Sequence, residues 1–343
     1  MSMREVILKV CEPTGQRLRA GLAVVALTIA MSLEMSSAAG AADELSLRLD
    51  YLPQGYHAPL FYGVAKGYYA EQGINLKIAD GKGSNASLQA VAAGNDTIVL
   101  ANYATMAQST TQGMPIIGIG GMIQRLPDAL IALKGSGIKV PKDLEGRTGS
   151  IPATSAVYKL FPAFAQATGI DLKKIKMAQM AAGATHAAVL QGQVDFTTGW
   201  AFTQGVQMAK HKPIEEPILM ADYGLNLLGV GFVVTRTTAA SKGDALKRFM
   251  TATAKAYRDG ISDMQGAADA MSVARPESEK DVLIDQFKLL PPFLHTDRTK
   301  DKPFGLMARE DWVQTVDILQ KYFELAGSVD IDKVFTNEFV PQQ

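Results

Sequence analysis

The chain has 343 residues, with 34 Lys+Arg balanced by 34 Asp+Glu for a formal net charge of zero. That balance removes any electrostatic drive to coat nucleic acid, and 47% hydrophobic against 20% charged residues excludes wholesale disorder. The single cysteine, Cys11, excludes an intramolecular disulfide and a cysteine zinc cluster.

Residues 1–19 carry Arg4, Lys9, Arg17 and Arg19, the run Ala20–Leu33 is uncharged, and the small residues SSAAGAA follow. Basic start, short apolar run and small-residue exit are similar to a bacterial secretory signal peptide. As a helix the apolar run rises only about 21 Å, short of the roughly 30 Å of a hydrocarbon core, so cleavage is favoured over a membrane anchor. Ala39-Gly40-Ala41 supplies a small-x-small site, giving a signal peptide over 1–42. Cys11 leaves with it, and the mature chain is nearly neutral and free of cysteine. No later stretch is apolar enough to span a bilayer. The expected product is exported, and periplasmic.

From residue 45 the chain alternates. Leu45–Leu52 reads as a strand, Ala58–Glu71 as a helix ended by Gly73, Asn75–Ala79 as a strand and Asn85–Ala93 as a helix closed by Gly94. Thr97–Ala101 is a strand, Ala104–Gln112 a helix, and Ile116–Ile119 and Ala129–Leu133 are strands. This is βαβαβαβ, which predicts a mostly parallel sheet covered by helices. The grammar then restarts: strands at Thr148–Ile151, Lys174–Gln179, Asp195–Thr198, Pro217–Met220 and Leu228–Thr235, with helices at Ala156–Ala167, Thr185–Gln191 and Phe202–Lys210. From Asp244 onward only helices are expected, at Ala245–Met264, Glu279–Leu289 and Arg309–Leu325. A faint echo between the helix starts at Gly83-Ser84-Asn85 and Gly183-Ala184-Thr185 is compatible with two lobes, although glycine caps recur by chance.

Catalytic and nucleotide motifs are missing: no HExxH, GxSxG, GxxxxGK[ST] or CxxC occurs. Gly81-Lys82-Gly83-Ser84-Asn85-Ala86 matches GxGxxA, but it follows the second strand, and the next strand ends in Asn102 where a ribose-binding acid belongs. It reads as a turn and a helix start. The histidines His57, His186, His211 and His295 lack metal-ligand spacing.

In open α/β sheets, ligands bind beyond the carboxyl ends of the strands, where helix N-termini offer free N–H groups. The residues at those positions suit a small molecule: Tyr51, Gln54, Tyr56 and His57 after the first strand, Ser84 and Asn85 after the second, Asn102 and Tyr103 after the third. In the second half they are Thr154, Ser155, Thr185, His186, Trp200, Tyr223 and Asn226. Rings supply stacking faces, and amides and hydroxyls supply orientation. Each also has an ordinary explanation. Ser84, Thr154 and Ser155 are good helix caps, Asn102 a turn residue, and Tyr51 and Tyr103 packing groups. The recurrence at one topological position carries more weight than any member.

The stretch Asp50-Tyr51-Leu52-Pro53-Gln54-Gly55-Tyr56-His57-Ala58-Pro59, running on to Lys66-Gly67-Tyr68-Tyr69, resembles the solute-binding proteins of ABC importers for nitrate, sulfonates, taurine and thiamin pyrimidine precursors. Pro141-Lys142-Asp143-Leu144-Glu145-Gly146-Arg147, Ile151-Pro152-Ala153-Thr154-Ser155 and Gly192-Gln193-Val194-Asp195 extend the resemblance over roughly 45–330. It implies an α/β type II periplasmic binding fold, with two α/β lobes, two crossing strands near Ala129–Leu133 and Leu228–Thr235, a helical C-terminal tail, and hinge closure on ligand. Lobe I would comprise 43–131 and 230–343, and lobe II 132–229. The implied function is binding of a small aromatic or heterocyclic solute, without catalysis or cofactor. The partners would be that solute and an inner-membrane ABC permease, with the binding protein a monomer and no nucleic acid involved. An aliphatic sulfonate, taurine or nitrate is the alternative ligand, although Arg125 is the only arginine near a strand end. A pyrimidine-synthase-like enzyme using His57 is a further alternative, disfavoured by the cysteine-free mature chain.

Overall fold

A computed structural model describes residues 42–342 except Thr154 and Ala326. The expected signal peptide, apart from Ala42, lies outside the described residues, as does candidate Thr154.

Strand β1 (Asp43–Arg48) buries Leu45 and Leu47 on one face. Helix α1 (Ala58–Ala65) opens with Pro59, whose missing N–H is no loss in a first turn. The helix expected to run unbroken to Glu71 stops there, because Gly67 adopts a left-handed φ of 77° before α2 (Tyr68–Glu71). β2 (Ile74–Ala79), α3 (Ser84–Ala92), β3 (Ile98–Asn102), α4 (Tyr103–Thr111) and β4 (Ile116–Gly121) follow. The chain then builds a second sheet from β5 (Asp128–Ala132), β6 (Thr148–Ser150), α5 (Ala156–Thr168), β7 (Lys176–Met177), α6 (Thr185–Leu190), β8 (Phe196–Trp200), α7 (Gln204–His211) and β9 (Ile218–Leu219). It returns to the first sheet as β10 (Val230–Thr235).

The strand orders are β2-β1-β3-β10-β4 and β7-β6-β8-β5-β9. In each sheet four of the five strands run the same way, as the sequence pattern predicted, and one strand, entering from the other half of the chain, is reversed. β10 runs antiparallel to β3 and β4, and β5 runs antiparallel to β8 and β9, while β1 is parallel to its neighbours β2 and β3. The strands read at 116–119 and 129–133 as one continuing sheet belong to different sheets. β5, which a lobe boundary at 131 would divide, lies whole in the second. Passage between sheets occurs at 122–127 and 220–229.

After β10 the described chain is helical: α8 (Arg236–Ser241), α9 (Gly243–Ser262), α10 (Met264–Ala274), α11 (Lys280–Lys288), α12 (Arg309–Tyr322) and α13 (Ile331–Val334). The expected helix to 264 ends earlier because the Asp263 side chain accepts from Gly266 N and caps α10, an element the sequence reading omitted. α9 presents Leu246, Phe249, Met250, Thr253 and Tyr257 as one buried stripe. Phe249 stacks on Tyr69 with centroids 5.7 Å apart, and the Tyr257 hydroxyl donates to the Tyr56 carbonyl at 2.8 Å. Burying each such ring removes apolar surface worth about 2 kcal/mol. These helices therefore seal the first sheet, and Trp312 of α12 packs between Tyr103 and Phe335.

Candidate functional site

The β2–α3 turn nests on the β1–α1 loop. A Cβ at Gly81 would lie 2.0 Å from the Leu49 carbonyl oxygen, so only glycine permits the approach. Gly81 N–H donates to Tyr51 O at 3.1 Å and Gly83 N–H to Asp50 O at 2.9 Å. The GxGxxA stretch is thus the turn and helix start that its position suggested. These two loops form one wall of a cavity of about 260 Å³, lined by Asp50, Tyr51, Gln54, Tyr56, Gly83 and Ser84. The opposite wall comes from the second sheet, where β8 ends and α7 begins: Trp200, Thr203 and Gln204. Tyr51 is 52% exposed, a ring held out at the mouth.

Beneath it sits a buried polar triad. The Asp50 carboxylate accepts from the Tyr56 hydroxyl at 3.0 Å and lies 2.9 Å from His57 Nε2. Gln54 N–H donates to His57 Nδ1 at 3.1 Å, which assigns the imidazole proton to Nε2, pointing at Asp50. Burial and the Asp50 charge hold the Tyr56 phenol well above its usual range.

A second cavity of about 300 Å³ adjoins the first. It lies among the start of α4 (Asn102, Ala104, Thr105, Gln108), the start of α5 (Ala153, Ser155, Ala156, Lys159), the α12 residues Leu319 and Phe323, and Leu126, Asp128 and Leu227. Asn102 Oδ1 caps α4 by accepting from Ala104 N and Thr105 N. Ser155 Oγ caps α5 by accepting from Tyr158 N. The cavities meet where Asn102 N–H donates to Ser84 Oγ at 2.9 Å and where Asp128 pairs in register with Trp200. Asp128 is only 8% exposed. Burial pushes its carboxyl up to about 7, partly opposed by the Trp200 indole N–H that donates to it.

Seven of the sequence candidates therefore line these cavities: Tyr51, Gln54, Tyr56, Ser84 and Trp200 the first, Asn102 and Ser155 the second. The others do not. His57 is 0% exposed, with both ring nitrogens engaged, and it braces the loop instead of touching the cavity. Tyr103 is fully buried, its hydroxyl on Gly120 O at 2.6 Å and its ring packed so close over Gly231 that no side chain fits there. Asn85 is exposed outside both cavities. His186 Nε2 rests on Thr198 O at 3.2 Å, and burial lowers its pKa. Tyr223 packs edge-on to Phe164. Asn226 Oδ1 accepts from Leu126 N and borders a larger cavity of about 740 Å³ around His295 and Arg298. That cavity's arginines are already paired, Arg125 with Asp222 and Arg298 with Asp311.

The sequence reading missed Asp50, Thr203, Gln204 and Asp128. Two carried a signal: Asp50 lies just beyond the end of β1, and Asp128 heads an otherwise apolar run, DALIAL. Among the described residues no group of three or more His, Cys, Asp or Glu could hold a metal ion, and no helix is long and apolar enough to cross a membrane.

A family model described as NMT1/THI5 like matches residues 54–267. The chain belongs to this NMT1/THI5-like family. The match spans the first-cavity residues Gln54, Ser84 and Trp200 and the second-cavity residues Asn102, Asp128 and Ser155. Within reach of the family are several characterised relatives. The riboflavin-binding protein RibY of Chloroflexus aurantiacus is 27% identical over 87% of this chain and 86% of its own length. The formylaminopyrimidine-binding protein of Halalkalibacterium halodurans is 18% identical over 87% and 91%. A 4-amino-5-hydroxymethyl-2-methylpyrimidine phosphate synthase of Legionella pneumophila is 26% identical over 87% and 92%. The crystal structure of the periplasmic aliphatic sulphonate binding protein SsuA from Escherichia coli superimposes with a TM-score of 0.68 at 15% identity, covering 87% of this chain and 99% of that one. The NMT1/THI5-like chain thus has the periplasmic binding protein fold.

Proposed function

We propose that the protein is the exported, periplasmic solute-binding component of an ABC importer and that it holds a flat heterocyclic solute between its two sheets. One observation carries this reading. Tyr51 from the first sheet and Trp200 from the second line the same cavity, with the polar side chains of Gln54, Ser84, Thr203 and Gln204 around them. Rings from two walls suit a planar solute, and amides and hydroxyls suit its polar edge. Two relatives named for binding riboflavin and formylaminopyrimidine point the same way. Lys159 is the one cation lining either cavity, which disfavours an anionic solute held by charge.

In this reading the mature chain starts after residue 42, and two lobes, 43–127 with 230–343 and 128–229, close about the passages at 122–127 and 220–229. It works as a monomer with an inner-membrane permease. The enzyme reading, which a synthase relative keeps in view, relied on His57. That imidazole is enclosed by Asp50 and Gln54 and has no path to a solute.

The test is a thermal-shift and calorimetry series on residues 43–343 with riboflavin, 4-amino-5-hydroxymethyl-2-methylpyrimidine, taurine, butanesulfonate and nitrate. A bound ring solute at a hundredfold its Kd should stabilise the fold by about 2.7 kcal/mol. Stabilisation by the sulfonate or nitrate alone, or chemical conversion of the ring solute, would overturn the reading.

A further inference from the structure

A carboxylate has about four lone-pair sites. For Asp128 the donor identified is the Trp200 indole N–H, and no ion pair to Asp128 occurs among the described residues. Asp128 is nevertheless only 8% exposed and borders a cavity of about 300 Å³. A buried acid with unused acceptor sites beside open volume is expensive to keep unless something else supplies donors. It also sits on rigid backbone: β5 pairs with β8 from Asp128↔Trp200 to Ala132↔Phe196, and Ala201 N–H donates to Pro127 O at 2.9 Å. That places the carboxyl group at the partition between the ring-lined cavity and the polar one.

We propose that Asp128 is the specificity-determining residue of this cleft, accepting a hydrogen bond from a ring N–H or amino group of the solute and turning away anionic solutes. The inference rests on the solute-binding reading above and deepens it by naming the edge the solute must present: an imide, lactam or amino-heterocycle, neutral or cationic. Asn102 and Ser155, whose oxygens already serve as helix caps, border the same space. The Lys159 ammonium lies over the Phe323 ring at 5.5 Å, at the α12 side of the cavity. An anionic group brings no hydrogen for that acceptor, and it meets like charge where the carboxyl is ionised, above about pH 7.

Calorimetry with paired probes tests this: riboflavin against 3-methylriboflavin, 4-amino-2-methylpyrimidine against its 4-dimethylamino counterpart, and butanesulfonate. On the unaltered protein, N-methylation of the tighter-binding ring should cost about tenfold to a hundredfold in affinity. D128N keeps the shape and an oxygen for the Trp200 N–H. It should weaken the parent ring by a similar factor, erase the discrimination against the methylated probe, and improve butanesulfonate binding. Equal affinity for parent and methylated rings on the unaltered protein overturns the inference and leaves the solute-binding reading standing, and it needs no variant to fold. Failure of every ring probe to bind overturns both.

Discussion

Burying an acid without a cation sets its ionised form against the folded state, and Asp128 meets that condition at the head of β5. Its carboxyl is pushed from an ordinary 3.8 up to about 7, so the folded chain holds a proton that the unfolded chain releases. The stabilisation is complete below about pH 4 and is lost as pH rises through 7, amounting to about 4 kcal/mol at most. Urea melts of the unliganded protein should therefore show D128N gaining on the unaltered chain between pH 5 and pH 8. The histidines lowered by burial, His186 and His295, are common to both proteins and cancel. A gap that does not change with pH would contradict the account. His57 and Tyr51 make an opposite pair within one loop. H57A removes a hydrogen-bonded group from beneath Asp50 and should cost about 2–4 kcal/mol in chemical denaturation. Y51A removes an exposed ring, so it should leave the melting temperature within a degree while weakening ring-solute binding about tenfold. The sequence reading placed this loop beyond the carboxyl end of the first strand, and the structure has it lining a cavity. That reading could not say which of the loop's side chains pointed inward, because that depends on Gln54 N–H taking His57 Nδ1, a contact with no signature in residue order.

The alternation of strands and helices was legible from hydrophobic periodicity and glycine stops, and most elements lie within a few residues of their expected positions. The exceptions have local causes. Gly67 breaks α1 from α2 by its left-handed backbone, and Asp263 starts a new helix where periodicity alone ran on. The reversal of β5 and β10 was not legible from the pattern, because they look like any apolar strand; only the family resemblance marked them as crossing strands. Two glycines of one turn separate close approach from conformation. G81A drives a methyl into the Leu49 carbonyl and should destabilise by more than about 2 kcal/mol in urea melts. At Gly83 a Cβ meets open space, so G83A bears only the strain of a φ of 106°, about 1 kcal/mol.

At the scale of the molecule, the helices after β10 are part of the first sheet's core and not an appendage. α9 supplies Phe249 and Tyr257 to the rings of Tyr69 and Tyr56, and the Tyr68 hydroxyl donates to Asp259 at 2.9 Å. A chain ended at residue 242 should expose that face, bind a hydrophobic dye and fail to unfold cooperatively, whereas removal of residues 1–42 should leave cooperative melting. The return of β10 has a consequence for how the molecule is made. β4 stands at the edge of its sheet with β10 as its strand neighbour, and β10 is synthesised only after every strand of the second sheet. A polypeptide leaving the ribosome can finish the later half while the earlier half still waits, its Ile116–Gly121 edge bare until residue 235 has emerged. Assembly that depends on so distant a partner is slow. If the chain is exported, as proposed above, that delay would keep it threadable until it had crossed.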